Sequence, residues 1–131
     1  MPAPQHFTPR EMIEKLVSFD TTSHLSNLEL IAFVESYLES HGVFSRRVMN
    51  EEGTKANLFA TLGDEMQAGG IVLSGHTDVV PVEGQDWSSD PFNVVERDGK
   101  LFGRGTSDMK SFIALALACV PAFLKDGPKV P

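Results

Sequence analysis

A histidine and two aspartates are the residues of this sequence whose types and spacing could do chemistry. His76 and Asp78 lie in the segment Ser-Gly-His-Thr-Asp, residues 74–78, and in an extended chain their side chains point to the same side. An imidazole is a good zinc ligand at neutral pH. A carboxylate beside it can accept the other ring N–H, which fixes the tautomer and raises the basicity of the ligand. The alternative is a buried histidine satisfied by a local aspartate without a metal, and a His-x-Asp pattern alone does not decide between them.

The second aspartate, Asp108, lies in a glycine-containing loop, residues 103–110, at the predicted start of a helix. A carboxylate there can simply cap the helix, because the helix N-terminus favours negative charge. Its two oxygens can also bridge two cations a few Å apart, as in two-metal hydrolase sites. Both clusters are predicted at strand-to-helix junctions on one edge of a sheet, where together they would form half of a metal site.

Helices are predicted on both sides of these clusters. Thr8–Glu11 and Ser26–Glu29 each have the pattern of a capping box, followed by apolar residues at helical spacing. Gly42 is the predicted left-handed C-cap of the second helix. A last helix is predicted from about Ser107 into the 120s, with a kink or an end near Pro121.

Short strands are predicted over residues 43–49, 56–62 and 70–75, and a hairpin over residues 94–102. The apolar run Ile71-Val72-Leu73 is continuous, which is typical of a strand buried on both faces. Strands that alternate with helices predict an α/β fold with a helix-covered sheet.

Length and composition exclude several classes of protein. The chain has 131 residues, which fits one domain, and a formal net charge of −7, which argues against nucleic acid and anionic membranes as partners. The longest apolar stretch, residues 112–124, is interrupted by Pro121 and too short to span a bilayer. Residues 1–6 lack the pattern of a signal peptide. The single cysteine, Cys119, is expected in the core. We therefore expect a cytoplasmic protein.

Four segments of the sequence carry a resemblance to a known family. They are S-G-H-T-D-V-V-P-V at 74–82, the Trp87…Asp90-Pro91-Phe92 loop, D-G-K-L-F-G-R-G at 98–105, and D-M-K at 108–110. These segments resemble the M20 metallopeptidase family and, within it, the acetylornithine deacetylase branch. The resemblance implies a helix-covered, mostly parallel sheet of the zinc-exopeptidase type. Residues 1–131 would be the N-terminal, truncated part of its catalytic domain, without the lid domain that makes the dimer.

The resemblance also implies roles for the three residues. His76 would be a ligand to one zinc, Asp108 would bridge two zincs, and Asp78 would be the catalytic-site residue that orients His76. A complete site would hold two zinc ions, for which cobalt can substitute. The peptide bond that follows Asp108 is expected to be cis.

The implied reaction is hydrolysis of an N-acyl amino acid, N-acetylornithine to ornithine and acetate, by a dizinc-activated water in arginine biosynthesis. The general base and the remaining ligands match no residue of this sequence, so the chain alone is expected to be inactive and the full-length protein to be a homodimer. Two alternatives stay open: a non-catalytic α/β remnant or binding module, and a related M20 desuccinylase or carboxypeptidase.

Overall fold

The computed structural model describes residues 3–131, so Met1 and Pro2, part of the segment in which no signal peptide is expected, lie outside the described residues. The elements in chain order are α1 (Pro9–Ser18), α2 (Leu28–Ser40), β1 (Ser45–Met49), β2 (Ala56–Ala60), β3 (Val95–Arg97), β4 (Lys100–Phe102), α3 (Lys110–Ala118) and α4 (Val120–Asp126). Within residues 3–131 no helix is long and apolar enough to cross a membrane.

The start of α1 confirms the first predicted capping box. The Glu11 backbone N–H donates to Thr8 Oγ1 at 3.2 Å, and the Glu11 carboxylate accepts from the Thr8 backbone N–H at 2.7 Å. This hydrogen bond from the Thr8 backbone lowers the pKa of Glu11. The helix then buries one apolar face, formed by Met12, Ile13, Leu16 and Val17.

The start of α2 differs from the prediction. Its N-cap is Asn27, which makes no side-chain cap bond. The Asn27 amide instead pairs with both backbone groups of Ala56, at 2.9 Å each, and donates to Thr77 Oγ1 at 3.0 Å. The second capping box is therefore wrong, because the residue at the cap position ties α2 to β2 and to the segment that carries His76. Gly42 has φ 75°, as its predicted place in a left-handed C-cap requires.

The strands form two antiparallel pairs. β1 pairs with β2 in the register Ser45↔Ala60, and β3 pairs with β4 across a two-residue turn. Both turn residues, Asp98 and Gly99, have positive φ, at 51° and 69°, as the tight turn of a twisted hairpin requires. The predicted hairpin is confirmed.

The prediction of a buried strand at residues 71–73 is wrong. Ile71, Val72 and Leu73 are 78%, 80% and 56% exposed, and the segment is not a strand. Neither helix nor strand among residues 3–131 covers it, and its one backbone bond outside its own segment joins the Ile71 N–H to the Pro131 carbonyl at 3.0 Å. Within residues 3–131, parallel pairing is limited to the bridge between Thr22 and Val79. The structure is mixed α/β, and the mostly parallel sheet is not confirmed.

The core lies among the helices and the inner side of β2. α1 packs on α3, and Tyr37 of α2, 1% exposed, donates its hydroxyl to the Leu117 carbonyl at 2.9 Å. The last helix breaks at Cys119, and Pro121 lies in the first turn of α4, as its fixed φ allows. Cys119 is exposed, so its expected place in the core is wrong: it lies one helical turn after Leu115, on the face of α3 that also leaves Phe112 and Leu115 exposed.

Candidate functional site

The structure brings the three residues singled out by the sequence into one cluster. His76 Nε2 lies 2.9 Å from Asp108 Oδ1. On the other side of the ring, His76 Nδ1 lies 3.0 Å from the backbone oxygen of Asp78 and 3.1 Å from its Oδ1. The imidazole is thus held between two carboxylates that are 30 residues apart in the sequence, and its two nitrogens face different partners.

The charges of the cluster act on both sides of the imidazole. Burial alone lowers the pKa of His76, but hydrogen bonds to the Asp78 carbonyl and to the Asp108 carboxylate outweigh it and raise the pKa above its ordinary value. The pKa of Asp78 is lowered, mainly by a hydrogen bond from Ser23 and also by the charge of His76. Asp78 is therefore an ionised acceptor at neutral pH, which favours a proton on Nδ1 of His76.

Neither simple structural explanation fits these residues. The His76 side chain is 47% exposed, whereas a histidine satisfied within the core would be buried. The N-cap of α3 is Met109, without a side-chain cap bond, and the 80% exposed Asp108 side chain meets His76 instead. Asp108 therefore does not cap the helix. The peptide bond that joins Asp108 to Met109 is cis, as expected.

A shallow cavity of about 150 Å³ opens beside the cluster. Its wall is formed by His76, Asp78, Asp108, residues 79–80 and the loop at 103–107. The loop approaches closely because Gly105 has φ 92° and a Cβ there would lie 3.0 Å from Val79 Cγ1. All three candidate residues therefore border the same cavity.

Residues 20–23, between α1 and α2, hold the segment that carries His76 and Asp78 through hydrogen bonds. The sequence did not predict this role. The Val79 N–H donates to the Thr21 carbonyl at 3.1 Å, and the Ser23 N–H donates to the Val79 carbonyl at 3.0 Å. Ser23 Oγ donates to Asp78 Oδ2 at 2.7 Å, and Thr21 Oγ1 donates to the Thr77 carbonyl. The run Asp-Thr-Thr-Ser at 20–23 carried a signal, since four small polar residues in a row can bond a neighbouring backbone.

Lys110, the last residue of the D-M-K segment, has a role that the sequence did not predict. It is fully buried in the first turn of α3, and its Nζ donates to the Phe19 carbonyl at 2.7 Å. Burial lowers its pKa to about 8, although the charge of Asp20 opposes the shift. Lys110 therefore fixes the start of α3, and with it the loop that carries Asp108, to the end of α1.

The long loop over residues 81–92 packs against the rim of the cavity. The Arg104 guanidinium lies over the Trp87 ring at 5.2 Å and donates to the Gln85 side chain and, at 3.4 Å, to the Pro81 carbonyl. These contacts pack the loop onto the body of the protein. Arg104 is thereby held as part of the wall.

The chemistry of the donor set fits a metal ion in part. Two adjacent ligands of a tetrahedral zinc stand about 3.3 Å apart when each bond is ~2.0 Å, and His76 Nε2 and Asp108 Oδ1 are already 2.9 Å apart. Asp78 occupies the position of a carboxylate that orients a metal-binding histidine. Within residues 3–131, however, no three His, Cys, Asp or Glu side chains converge as a metal-binding group. The described residues therefore supply two metal donors, His76 and Asp108, and Asp78 as the carboxylate that orients His76.

Comparison with known proteins identifies relatives over most of this chain. Peptidase family M20/M25/M40 matches residues 72–131, which include His76, Asp78 and Asp108. The acetylornithine deacetylase of Pasteurella multocida (strain Pm70) is 40% identical over 118 residues, which are 84% of this chain and 30% of that protein. The acetylornithine deacetylases of Shigella sonnei (strain Ss046) and Proteus mirabilis (strain HI4320) are 44% and 43% identical, over 70% and 75% of this chain.

Those two alignments cover 24% and 25% of the relatives' lengths, so the chain spans about a quarter to a third of the curated relatives it matches. Among solved structures, human carnosine dipeptidase 1 has a TM-score of 0.77 at 24% identity, over 92% of this chain and 29% of that chain. This likeness is one of fold. The sequence matches show that the chain belongs to peptidase family M20/M25/M40, whose N-terminal portion it matches.

Proposed function

We propose that residues 1–131 form the N-terminal part of the zinc-binding catalytic domain of an amidohydrolase that deacylates N-acyl amino acids. The observation that carries the proposal is the convergence of His76 Nε2 and Asp108 Oδ1 at 2.9 Å, beside a cavity in the segment that matches the family. The names of three curated relatives at 40–44% identity favour N-acetylornithine as substrate, with ornithine and acetate as products in arginine biosynthesis.

In this proposal His76 and Asp108 would hold a metal ion, and the second oxygen of Asp108 would be available to another. Two zinc ions, for which cobalt can substitute, would polarise the acyl carbonyl and lower the pKa of a bound water. The Asp108 side chain is 80% exposed and lines the cavity, so its carboxylate is open to a second cation as well as to the first.

Asp78 acts on the reaction through His76. Its ionised carboxylate and its backbone oxygen can both accept from Nδ1 of the ring. Nε2, which meets the Asp108 carboxylate at 2.9 Å, would then be the nitrogen that gives up its proton and offers a lone pair to a cation. The same contact increases the basicity of the imidazole as a ligand. Asp78 is thus the group that keeps His76 in the tautomer and orientation that metal binding needs.

The fold is proposed to be completed by the rest of a longer protein. The exposed run at 71–73 and the parallel bridge between Thr22 and Val79 are consistent with a helix-covered, mostly parallel sheet whose other strands come from elsewhere. The general base, the further ligands and the lid that forms a homodimer would lie there too. A catalytic zinc normally has three protein ligands, so we expect the 131-residue chain alone to hydrolyse nothing. We also propose that the protein is cytoplasmic.

A chimera tests this function. Residues 1–131 would replace the matching segment of the Pasteurella multocida acetylornithine deacetylase, and release of ornithine from N-acetylornithine would be measured with zinc present. We expect activity in the chimera, and its loss in the chimeras that carry His76→Ala or Asp108→Ala. A chimera with His6→Ala is the control, because His6 is exposed on the N-terminal segment before α1. Undiminished turnover in the His76→Ala or Asp108→Ala chimera would overturn the proposal.

A further inference from the structure

We propose that Ser23 is a positioning residue of this site, whose hydroxyl holds the Asp78 carboxylate in the orientation that in turn fixes His76 as a ligand. The inference rests on the proposed function, because it assigns a support to the same site. Among the described residues no hydrogen bond joins Ser23 to His76 or Asp108, so it would act through Asp78.

The geometry divides the two oxygens of Asp78 between two partners. Ser23 Oγ donates to Oδ2 at 2.7 Å, and His76 Nδ1 lies 3.1 Å from Oδ1. A hydroxyl bonded to a carboxylate makes one of the stronger hydrogen bonds in proteins, and 2.7 Å is within the range of such bonds. With Oδ2 held in this way, rotation of the carboxylate is restricted and Oδ1 stays directed at the ring.

The backbone of Ser23 is itself fixed beside Asp78. Its N–H donates to the Val79 carbonyl at 3.0 Å, and Lys55 Nζ donates to its carbonyl oxygen. The two preceding residues, Thr21 and Thr22, are each only 3% exposed. Ser23 is itself exposed, but its backbone is held by these hydrogen bonds and by the two buried residues before it, which gives the hydroxyl a defined position relative to the carboxylate.

Asp78 needs such a support because it faces solvent. Its side chain is 56% exposed, and an exposed carboxylate without a fixed partner rotates toward water. If it did so, the Nδ1–H of His76 would keep the Asp78 backbone oxygen at 3.0 Å as its acceptor but would lose the carboxylate. The Nδ1-protonated tautomer would be less favoured, and the ring would be a poorer ligand.

Three variants of the 131-residue chain test the inference. Ser23→Ala removes the hydroxyl, Ser23→Thr keeps it, and Ser26→Ala removes a hydroxyl three residues away that accepts from the Leu28 N–H and does not contact Asp78. The first readout is the ring-nitrogen NMR signal of His76 without metal, at a pH where the imidazole is neutral. The second is zinc affinity, measured by competition with a chromogenic chelator.

In Ser23→Ala we expect a smaller fraction of His76 with its proton on Nδ1 and a zinc affinity lower by up to about tenfold, as when the partner of a metal ligand is removed. Ser23→Thr should restore both values, and Ser26→Ala should change neither. An unchanged tautomer in Ser23→Ala, or a zinc affinity equal to that of the unchanged chain, would overturn the role of Ser23.

The two readouts separate this inference from the proposed function. If the tautomer shifts in Ser23→Ala but no form of the chain binds zinc at His76, the positioning contact is real and the metal assignment fails. If the unchanged chain binds zinc through His76 and Ser23→Ala binds it equally well, the metal assignment stands and the inference about Ser23 fails.

Discussion

The helical core and the segment that leads into the candidate site are both apolar, yet they are packed very differently. Leu16, on the inner face of α1, is fully buried, and Leu73, three residues before His76, is 56% exposed. The core residues pack among α1, α2, α3 and β2, whereas the run at 71–73 has no strand beside it within residues 3–131. Leucine is therefore buried against neighbouring side chains in one region and largely exposed in the other.

This difference shows which elements can be packed by the described residues alone and which need further neighbours. Helices hold their own backbone hydrogen bonds and need only a partner for one face, which α1 and α3 provide for each other. A strand needs neighbours on both edges for its backbone and cover on both faces for its side chains. The site occurs at the end of the incompletely covered segment, and there only two metal donors, His76 and Asp108, come together.

The largest effect that separates the two regions is expected from a matched pair of leucine substitutions. Leu16→Ala should lower the free energy of unfolding by about 3–5 kcal/mol, because a buried leucine leaves a cavity. Leu73→Ala should lower it by less than about 1 kcal/mol, because much of its surface is already in water. Urea denaturation of the 131-residue chain measures both. Equal losses would break the comparison.

A smaller effect is expected at Lys110, which joins the loop that carries Asp108 and the start of α3 to the end of α1. Lys110→Ala removes a fully buried stem and the hydrogen bond to the Phe19 carbonyl, so stability should fall by about 2 kcal/mol. Lys110→Met refills the volume without the hydrogen bond, so its free energy of unfolding should lie between those of the unchanged chain and Lys110→Ala. The control is Lys100→Ala, at an exposed position of β4, which should stay within about 0.5 kcal/mol. If Lys110→Ala were as mild as this control, the tie between α3 and α1 would carry little stability.

The smallest effect concerns the capping box of α1 and depends on pH. The pKa of Glu11 is lowered in the folded chain, so its contribution to stability is present above its unfolded pKa of about 4.3 and is lost as the pH falls through the folded pKa. The difference in midpoint temperature between the unchanged chain and Glu11→Ala should therefore shrink between about pH 7 and about pH 3. A difference that stays constant over this range would argue against the ionised capping contact.

Much of the fold follows from local sequence signals. The Thr8–Glu11 box, the Asp98-Gly99 turn and the break near Pro121 were all predictable, because each depends on a few adjacent residues. The failures share a cause, since tertiary partners decided them. Asn27 gives its amide to β2 and Thr77 instead of capping α2, and the run at 71–73 lacks the neighbours that its composition calls for.

The three residues of the candidate site could be predicted from the sequence, but the residues that hold them in place could not. The residue types of His76, Asp78 and Asp108 suggested metal chemistry, and the structure brings the three side chains together. Ser23 is far from the three in sequence, whereas Lys110 is two residues after Asp108. The polar run at 20–23 indicated bonding to a neighbouring backbone in general, but neither residue carried a signal for the group that its side chain contacts. Their places became visible only through the contacts to Asp78 and to the Phe19 carbonyl.

The central claim, that His76 and Asp108 are metal ligands, is tested most directly by zinc binding to the 131-residue chain. Competition with a chromogenic chelator should give weak binding to the unchanged chain, because two donors are fewer than a catalytic zinc normally has. His76→Ala and Asp108→Ala should each abolish this binding, and His6→Ala should leave it unchanged. Zinc affinity that is the same in the His76→Ala or Asp108→Ala chain as in the unchanged chain would contradict the account.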